Sequence, residues 1–410
     1  MKLDPTQHSW MTAPETRAVF AALGNDKARF VGGSVRNTLM GHPVGDIDIA
    51  TPIRPEQVTR LLEAAGIKAV PTGIDHGTVT AVANGKPFEI TTLRRDVETD
   101  GRRAIVAFSE DWTEDAERRD FTMNALYASI DGEVFDTVGG VEDLKAGRVR
   151  FVGDAATRIR EDYLRILRLF RFHAWYGKGE LDSEALLASA AEKAGLASLS
   201  GERIQKEMLK LLEAENPMPS FRAMAATGIL AEIFPDAVLL RRLERLVDIE
   251  TGNFFPPDPV LRLAALLPDP GLAAKIAERF RLSNAQTARL IDVTGAQEKI
   301  VSYLSIKEVR KWLYLLRTAR FKDRVFLRWA EDPKESNGVQ WRALLALADA
   351  WQRPKFPLTG ESVKAAGVPE GPLIGRILGE VEDWWIDSDF IDDEFSLAER
   401  LKAVVQATAY

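Results

Sequence analysis

The sequence predicts an α+β protein in which a mixed-sheet N-terminal domain is followed by an all-helical remainder. Two observations carry that reading. Up to about residue 140, short β-type runs such as ARFV, DIDIA and GTVTAVANGKPFEITTL alternate with short helical patterns. Beyond Arg158, apolar residues recur at spacings of three and four almost to the C-terminus. No repeat strong enough for a solenoid is visible.

The elements follow in order. ARFV reads as a strand, and Gly32-Gly33 lead into a short helix through SVRNTLM. DIDIA reads as a second strand on which Asp46 and Asp48 share one face while Ile47 and Ile49 enter the core. PEQVTRLLEAAG is a helix opened by Pro55 and closed by Gly66. IKAV is a strand, and GTVTAVANGKPFEITTL is a hairpin turning at NGK. The charged segment RRDVETDGRRAIVAF reads as a flexible loop centred on Asp100-Gly101, long enough to close over a substrate. In ERRDFTMNALYASIDG, Arg118, Arg119 and Asp120 form a polar turn ahead of an apolar helical stretch. Ile159 to Phe172 reads as one helix, and further helices follow in DSEALLASAAEKAG, ERIQKEMLKLLEA, SFRAMAATGILAEIF, SIKEVRKWLYLLRTARF, RILGEVEDWWI and SLAERLKAVVQA.

Composition narrows the chemistry. The 410 residues, 46% of them hydrophobic, suffice for two to four domains with their own cores. Cysteine is absent, which removes thiolate zinc sites, iron–sulfur clusters and cysteine nucleophiles. The N-terminal MKLDPTQHSWMTAPE has no apolar signal core, and no run approaches the roughly 18 apolar residues of a membrane span. The expectation is a cytoplasmic protein without membrane attachment. Net charge is -7, but Glu142 to Phe172 holds eight basic against five acidic residues, whereas Glu380 to Glu399 holds nine acidic and none basic. RNA, if bound, favours the first region. The four histidines are scattered, which leaves no zinc cluster; His76, in IDHGTVT, reads more readily as a turn residue than as a catalyst.

Two like charges at i and i+2 repel unless a cation lies between them. Hard carboxylate oxygens without histidine or cysteine suit magnesium, and two ions would support in-line phosphoryl or nucleotidyl transfer. A D-x-D pair also occurs at solvated strand ends. Glycines between a strand and a helix admit phosphate close to the backbone, with Arg36 and helix N-terminal amides supplying positive potential; an ordinary tight turn explains the same letters. Neither a dinucleotide fingerprint nor a P-loop is present. Glu89, between Phe88 and Ile90, is the candidate third carboxylate, though an exposed edge-strand Glu would look alike.

Downstream, Asp162, Arg165, Arg168 and Arg171 recur every third residue, beside an apolar stripe of Leu164, Leu167, Phe170 and Ala174. A carboxylate accepts from an exocyclic amino group and a guanidinium donates to the adjacent ring nitrogen, which matches cytosine and adenine. Uracil and guanine reverse that pattern. Asp162 and Arg165 are therefore the candidate base readers, with Arg168 and Arg171 for phosphate contacts or for holding that pair; a solvated ion-paired face is the plainer alternative.

Together GGSVRNTLMG with DIDIAT, HGTVTA with FEITTLR, RRDFTMNAL, GGVEDLKAGRVR, EDYLRILRLFRF and ERIQKEMLKLL resemble the class II tRNA nucleotidyltransferase and bacterial poly(A) polymerase family. The resemblance spans residues 30 to about 212, with a weaker match toward the C-terminus. It implies a polymerase-beta-like nucleotidyltransferase head over residues 1–140, a nucleotide-selecting helical neck over 141–215, a helical body over 216–345 and a tRNA-docking tail over 346–410. It further implies that Gly33 and Arg36, with Gly32 in the same turn, meet the incoming nucleotide and that Asp46 and Asp48 ligate magnesium. Arg119 becomes a nucleotide contact, and Asp162, Arg165, Arg168 and Arg171 bind CTP and ATP. Asn37 departs from the family's usual aspartate, losing a charge but keeping an acceptor oxygen. The segment DVETDGRRAIVAF is not shortened as in relatives that add only cytidines, and no His-Asp dipeptide marks an appended phosphohydrolase. The expected function is template-independent addition of C, C and A to the 3′ end of tRNA, docked by its acceptor arm, from CTP and ATP. A poly(A) polymerase and a catalytically silent RNA-binding protein are the alternatives.

Overall fold

The computed structural model describes residues 1–73, 77–100, 103–391 and 393–408, with backbone alone for 96–100 and 103–106. His76 lies outside the described residues. The chain divides into two compact units, Met1–Ala237 with Glu278–Leu282, and Val238–Ala277 with the chain from Ser283 onward. The candidate site residues all fall in the first unit.

That unit begins with α1 (Ser9–Thr12), α2 (Pro14–Leu23), β1 (Arg29–Val31), α3 (Gly33–Met40), β2 (Asp48–Thr51) and α4 (Pro55–Ala64). Strands β3 (Lys68–Gly73), β4 (Thr78–Ala83), β5 (Lys86–Thr92), β6 (Arg94–Asp100) and β7 (Arg103–Phe108) follow, then α5 (Trp112–Glu117), β8 (Leu126–Ala128), β9 (Val134–Asp136) and α6 (Gly140–Ala146). Seven strands form one mixed sheet in the order β3-β4-β5-β2-β1-β8-β9. Within it only β2 and β5 run parallel, with Asp48 opposite Glu89 and Ile49 opposite Ile90. The expected hairpin is β4–β5, and Asn84 and Gly85 at its turn both take positive φ, 49° and 79°, as a two-residue hairpin turn requires.

Alternation decides which face carries chemistry. Along β4, Val79 and Ala81 are fully buried, and along β5, Phe88 and Ile90 are buried while Glu89 is exposed. Helices α2 and α4 pack against each other and against β4, burying Val19, Phe20, Val58 and Leu62. Phe20 and Trp10 meet Phe30 of β1 at ring separations of 4.5 and 4.6 Å, completing that core.

Three expectations for the first unit need correction. RRDVETDGRRAIVAF is not a loop on either side of residues 101–102, which lie outside the described residues: β6 and β7 pair as a separate antiparallel ribbon, with β-branched residues at 97, 99, 105 and 106 suiting extended backbone. RRDFTMNAL does not open a helix, because a single 3-10 turn at Thr122–Asn124 delivers the chain into β8, whose three residues are all buried. The helix read from Ile159 to Phe172 is two, α7 (Ala155–Glu161) and α8 (Leu164–Tyr176), separated where Asp162 turns extended at φ -157°, ψ 104°.

The rest of the unit is helical, with α9 (Ser183–Ala191), α10 (Gly201–Leu212), α11 (Met218–Ala226) and α12 (Ile229–Ile233), the last two parted by Gly228 at φ 74°. In the second unit, helices run from Leu240–Gly252 to Glu394–Thr408. SIKEVRKWLYLLRTARF, expected as one helix, becomes Ile306–Leu316 and Thr318–Glu331, parted by Arg317 at φ 70°. Arg262 and Glu250, 1% and 3% exposed, meet at 2.6 Å and join two helices of this unit. Tyr314 packs with Trp385, Ile386 and Leu397. Among the described residues no helix is long and apolar enough to cross a membrane.

Candidate active site

Asp48 opens β2, and its in-register parallel pairing puts it beside Glu89 on the sheet face opposite Ile49 and Ile90. Asp46 stands not in the strand but at a bend two residues before it, and Ile47 is only half-buried. The three carboxylates still act on one another. Burial, then Glu89 and Asp46, push the Asp48 carboxyl up to about 6 against the opposing pull of Arg119. This is a donor set short of positive charge. Its oxygens are hard ligands of the kind a divalent cation takes, so the residues fit magnesium. Among the described residues no group of three or more histidine, aspartate or glutamate side chains is placed to hold a metal ion.

The glycine turn faces these acids through Arg119. Gly32 takes φ 64°, ψ -116°, a conformation that excludes side chains, and donates its N–H to Leu126 O at 3.0 Å. A Cβ at Gly32 would lie 3.5 Å from the Asn124 carbonyl oxygen and 3.8 Å from Arg119 Nη1. Gly33 begins α3 immediately after, so the turn, the helix N-terminus and the Arg119 guanidinium lie together. Arg119 is held by Asp115, which accepts from its Nε and Nη2 at 3.2 and 3.0 Å. Tyr127 donates to the same Asp115 oxygen at 2.7 Å. Burial alone would raise the Asp115 carboxyl, but Arg119 and Arg118 hold it well below the usual carboxylate range.

Arg36 makes most of its hydrogen bonds inside the protein. It is 7% exposed and donates to Asn124 Oδ1 at 2.5 Å, to Asn37 Oδ1 at 3.1 and 2.9 Å, and to the Tyr176 hydroxyl at 2.9 Å, with the Tyr176 ring 4.1 Å from its centre. Four of the five N–H donors of a guanidinium are thus engaged inside the protein. Asn37 supplies the acceptor expected of it and also donates to Pro43 O at 3.0 Å, a bond a carboxylate could not make.

The downstream group has its own partners. The side chains of Asp162 and Arg165 do not pair with each other, although Arg165 N–H donates to Asp162 O at 3.0 Å. Asp162 Oδ1 accepts from Leu164 N–H at 3.1 Å and Oδ2 from Arg203 Nη2 at 2.7 Å. Arg165 donates to Arg158 O at 2.7 Å and pairs with Glu161. Arg168 donates from Nε and Nη2 to Asp120 Oδ2 at 2.8 and 2.5 Å, and Arg171 donates from Nε to Glu207 at 2.5 Å. The apolar side of α8 is broader than a stripe, since Ile166, Leu169 and Phe172 are buried along with Leu164, Leu167 and Phe170, while Ala174 is only half-buried.

Asp120 and Asn124 join the two groups. Asn124 donates from its amide to Asp120 Oδ1 at 3.0 Å and accepts from Arg36, so hydrogen bonds run from the glycine turn through Asn124 and Asp120 to Arg168. Residues far apart in sequence thereby form one connected site. The family described as "Poly A polymerase head domain" matches residues 28–150, and that described as "Probable RNA and SrmB- binding site of polymerase A" matches 180–240. The human "CCA tRNA nucleotidyltransferase 1, mitochondrial" is 35% identical over 386 residues, covering 92% of this chain and 87% of the human protein. The chain belongs to the CCA-adding tRNA nucleotidyltransferase family. The "CCA-adding enzyme" of Latilactobacillus sakei is 31% identical over 364 residues, covering 87% of this chain and 89% of its own. A solved structure of the Bacillus stearothermophilus CCA-adding enzyme in complex with CTP superposes with a TM-score of 0.77 at 26% identity, covering 96% of this chain and 98% of that one.

Within this CCA-adding family member, sequence reasoning passed over most of the supporting partners. The sequence alone does not mark a role for Asp115, Tyr127, Tyr176, Glu161, Arg203, Glu207 or Asn124. Glu161 had a local signal, standing four residues before Arg165 on what reads as one helix face. The Arg203–Asp162 and Glu207–Arg171 pairs had none, since 41 and 36 residues separate their members.

Proposed function

We propose that this chain adds C, C and A in turn to the 3′ end of tRNA from CTP and ATP, releasing pyrophosphate at each step. The observation that carries the reading is the Asp48–Glu89 pair within the field of Arg119, with a hydrogen-bond chain running from Arg36 of α3 through Asn124 and Asp120 to Arg168 of α8. The RNA 3′-hydroxyl oxygen attacks the α-phosphorus. A new O–P bond forms as the bond to the pyrophosphate oxygen breaks, and the hydroxyl proton is released. Glu89, exposed beside Asp48, orients the hydroxyl. The triphosphate lies along the Gly32-Gly33 turn against the α3 amides, with Arg119 as its neighbouring cation. Arg36 supports that turn from within the fold.

Asp46 and Asp48 would hold magnesium, two ions with substrate oxygens included, which lowers the hydroxyl pKa and offsets the triphosphate charge. Asp162 and Arg165 choose the base, Asp162 through the lone pairs that its present donors leave and Arg165 through the N–H groups that its present partners leave. Replacing Asp162 by Ala is expected to reduce discrimination against UTP and GTP by about 1–3 kcal/mol, tens of fold in a four-nucleotide incorporation assay. Unchanged selectivity would remove Asp162 from base choice.

The deciding experiment incubates purified protein with magnesium, tRNA lacking its 3′ end, and labelled CTP or ATP separately and together. Ordered addition that stops after A supports the proposal, whereas a long A tail identifies a poly(A) polymerase and no extension identifies a silent RNA binder. We place this activity in the cytoplasm; the mouse and human relatives carry the word mitochondrial in their names, and cell fractionation distinguishes the two locations.

A further inference from the structure

Helix α10 grips the selecting residues from outside. Glu207, 4% exposed, accepts from Arg171 Nε at 2.5 Å and stands 3.7 Å from Arg168, which locks α10 onto α8. Arg203 is four residues earlier on α10, so it shares that helix face. From there its Nη2 donates to Asp162 Oδ2 at 2.7 Å, while Leu164 N–H donates to Oδ1 at 3.1 Å.

These two bonds have a geometric consequence. Asp162 lies in the extended link between α7 and α8, and the terminal torsion of a free aspartate is broad. One donor on each oxygen pins the carboxylate plane and leaves each oxygen a further lone pair. A plane set in this way has a defined direction for accepting an exocyclic amino group. An unpinned carboxylate keeps the charge but not the direction.

We propose that Arg203 is a specificity-determining positioning residue, which fixes the plane of the Asp162 carboxylate and so sharpens the choice of cytosine and adenine. The inference rests on the base-choosing role proposed for Asp162. A simple surface ion pair is the competing account, and the exposure of both partners, 43% for Arg203 and 32% for Asp162, makes the pair a weak contributor to stability. Removing Arg203 therefore leaves the fold in place and exposes its effect on selection.

The test measures binding of CTP, ATP, UTP and GTP, with magnesium and without RNA, to the full chain by calorimetry. Wild type, R203A, R203K, D162A and the double variant D162A/R203A are compared. Arg203→Ala is expected to lower the preference for CTP over UTP and ATP over GTP by about tenfold with little change in melting temperature, and Arg203→Lys to recover part of it. On the Asp162→Ala background, removing Arg203 is expected to change the preference by less than about twofold, because the two residues act as one unit. Wild-type preference in R203A overturns the proposal, as does an equal loss with and without Asp162. Extension of CCA-less tRNA by the wild type is followed in parallel. A failure of the tRNA reading shows in that extension, whereas a failure of the Arg203 assignment shows in the binding series.

Discussion

Replacing Asp48 by Asn is expected to lower nucleotide incorporation by about three orders of magnitude or more, which corresponds to ~4 kcal/mol of lost transition-state stabilisation. The substitution keeps the size of the side chain and its place at the start of β2, so α2, α4 and the sheet are expected to remain folded. What it removes is the charge that a cation would share with Asp46. The stability effect runs the other way. In the free protein the Asp48 carboxyl is pushed up to about 6 by burial, Glu89 and Asp46, above its ordinary value of 3.8. Between those two values the native state binds more protons than the unfolded state, so this group lowers stability as pH rises from about 4 to about 6. Above that window the penalty stays in place. Asp48→Asn escapes it, and is expected to melt above the wild type at pH 8 and near it at pH 4, read by thermal unfolding without divalent ions. Millimolar magnesium is expected to raise the wild-type melting temperature at pH 8 and leave Asp48→Asn unmoved. Incorporation by the variant within about tenfold of wild type would sink the metal assignment.

Replacing Asp120 by Ala is expected to destabilise the first unit by about 3–5 kcal/mol, the range found when one partner of a buried, hydrogen-bonded pair is removed. Asp120 is 11% exposed and accepts from Arg168 twice, from the Asn124 amide and from Phe121 N–H. Without it Arg168 keeps Glu207 at 3.7 Å and the Phe172 ring at 5.2 Å, and the chain of hydrogen bonds between the glycine turn and α8 is cut. Urea unfolding reads the loss, and CTP binding is expected to weaken with it. Burial by itself would raise the Asp120 carboxyl, but Arg168, Asn124 and Phe121 bring it down to about 2, below the ordinary 3.8. The stabilisation is therefore complete above about pH 4 and fades as pH falls toward 2. A variant as stable as wild type at pH 7 would show that Asp120 does not join the two halves of the site.

Much of the first unit is legible from local pattern. The β4–β5 hairpin follows from alternation plus Asn84-Gly85, and α4 from Pro55, the spacing of Val58 and Leu62, and Gly66. Such features involve residues within a turn or two of each other, so their energetics are readable in a short window. The errors share the opposite property. The break at Asp162 is invisible to periodicity, because the apolar and basic spacings continue across it. The short strand β8 is held not only by the neighbouring β9 but by β1, far earlier in the chain, which the letters RRDFTMNAL do not show. For Arg36, a cation beside two glycines suggests a phosphate contact, and the letters around it do not show the partners that it finds inside the fold. Only packing against Tyr176, 140 residues later, shows its donors already engaged.

By itself the sequence determined the α+β class, the chemistry-bearing letters, and the family to which their order belongs. Tertiary structure decided how those letters are employed. It set Asp48 beside Glu89 through a parallel pairing, made Arg119 the cation at the glycine turn, and tied the two groups together through Asp120. The physical reason is that side-chain character is local, whereas a carboxylate's charge, a guanidinium's free donors and a carboxylate's orientation depend on partners that folding brings from tens of residues away.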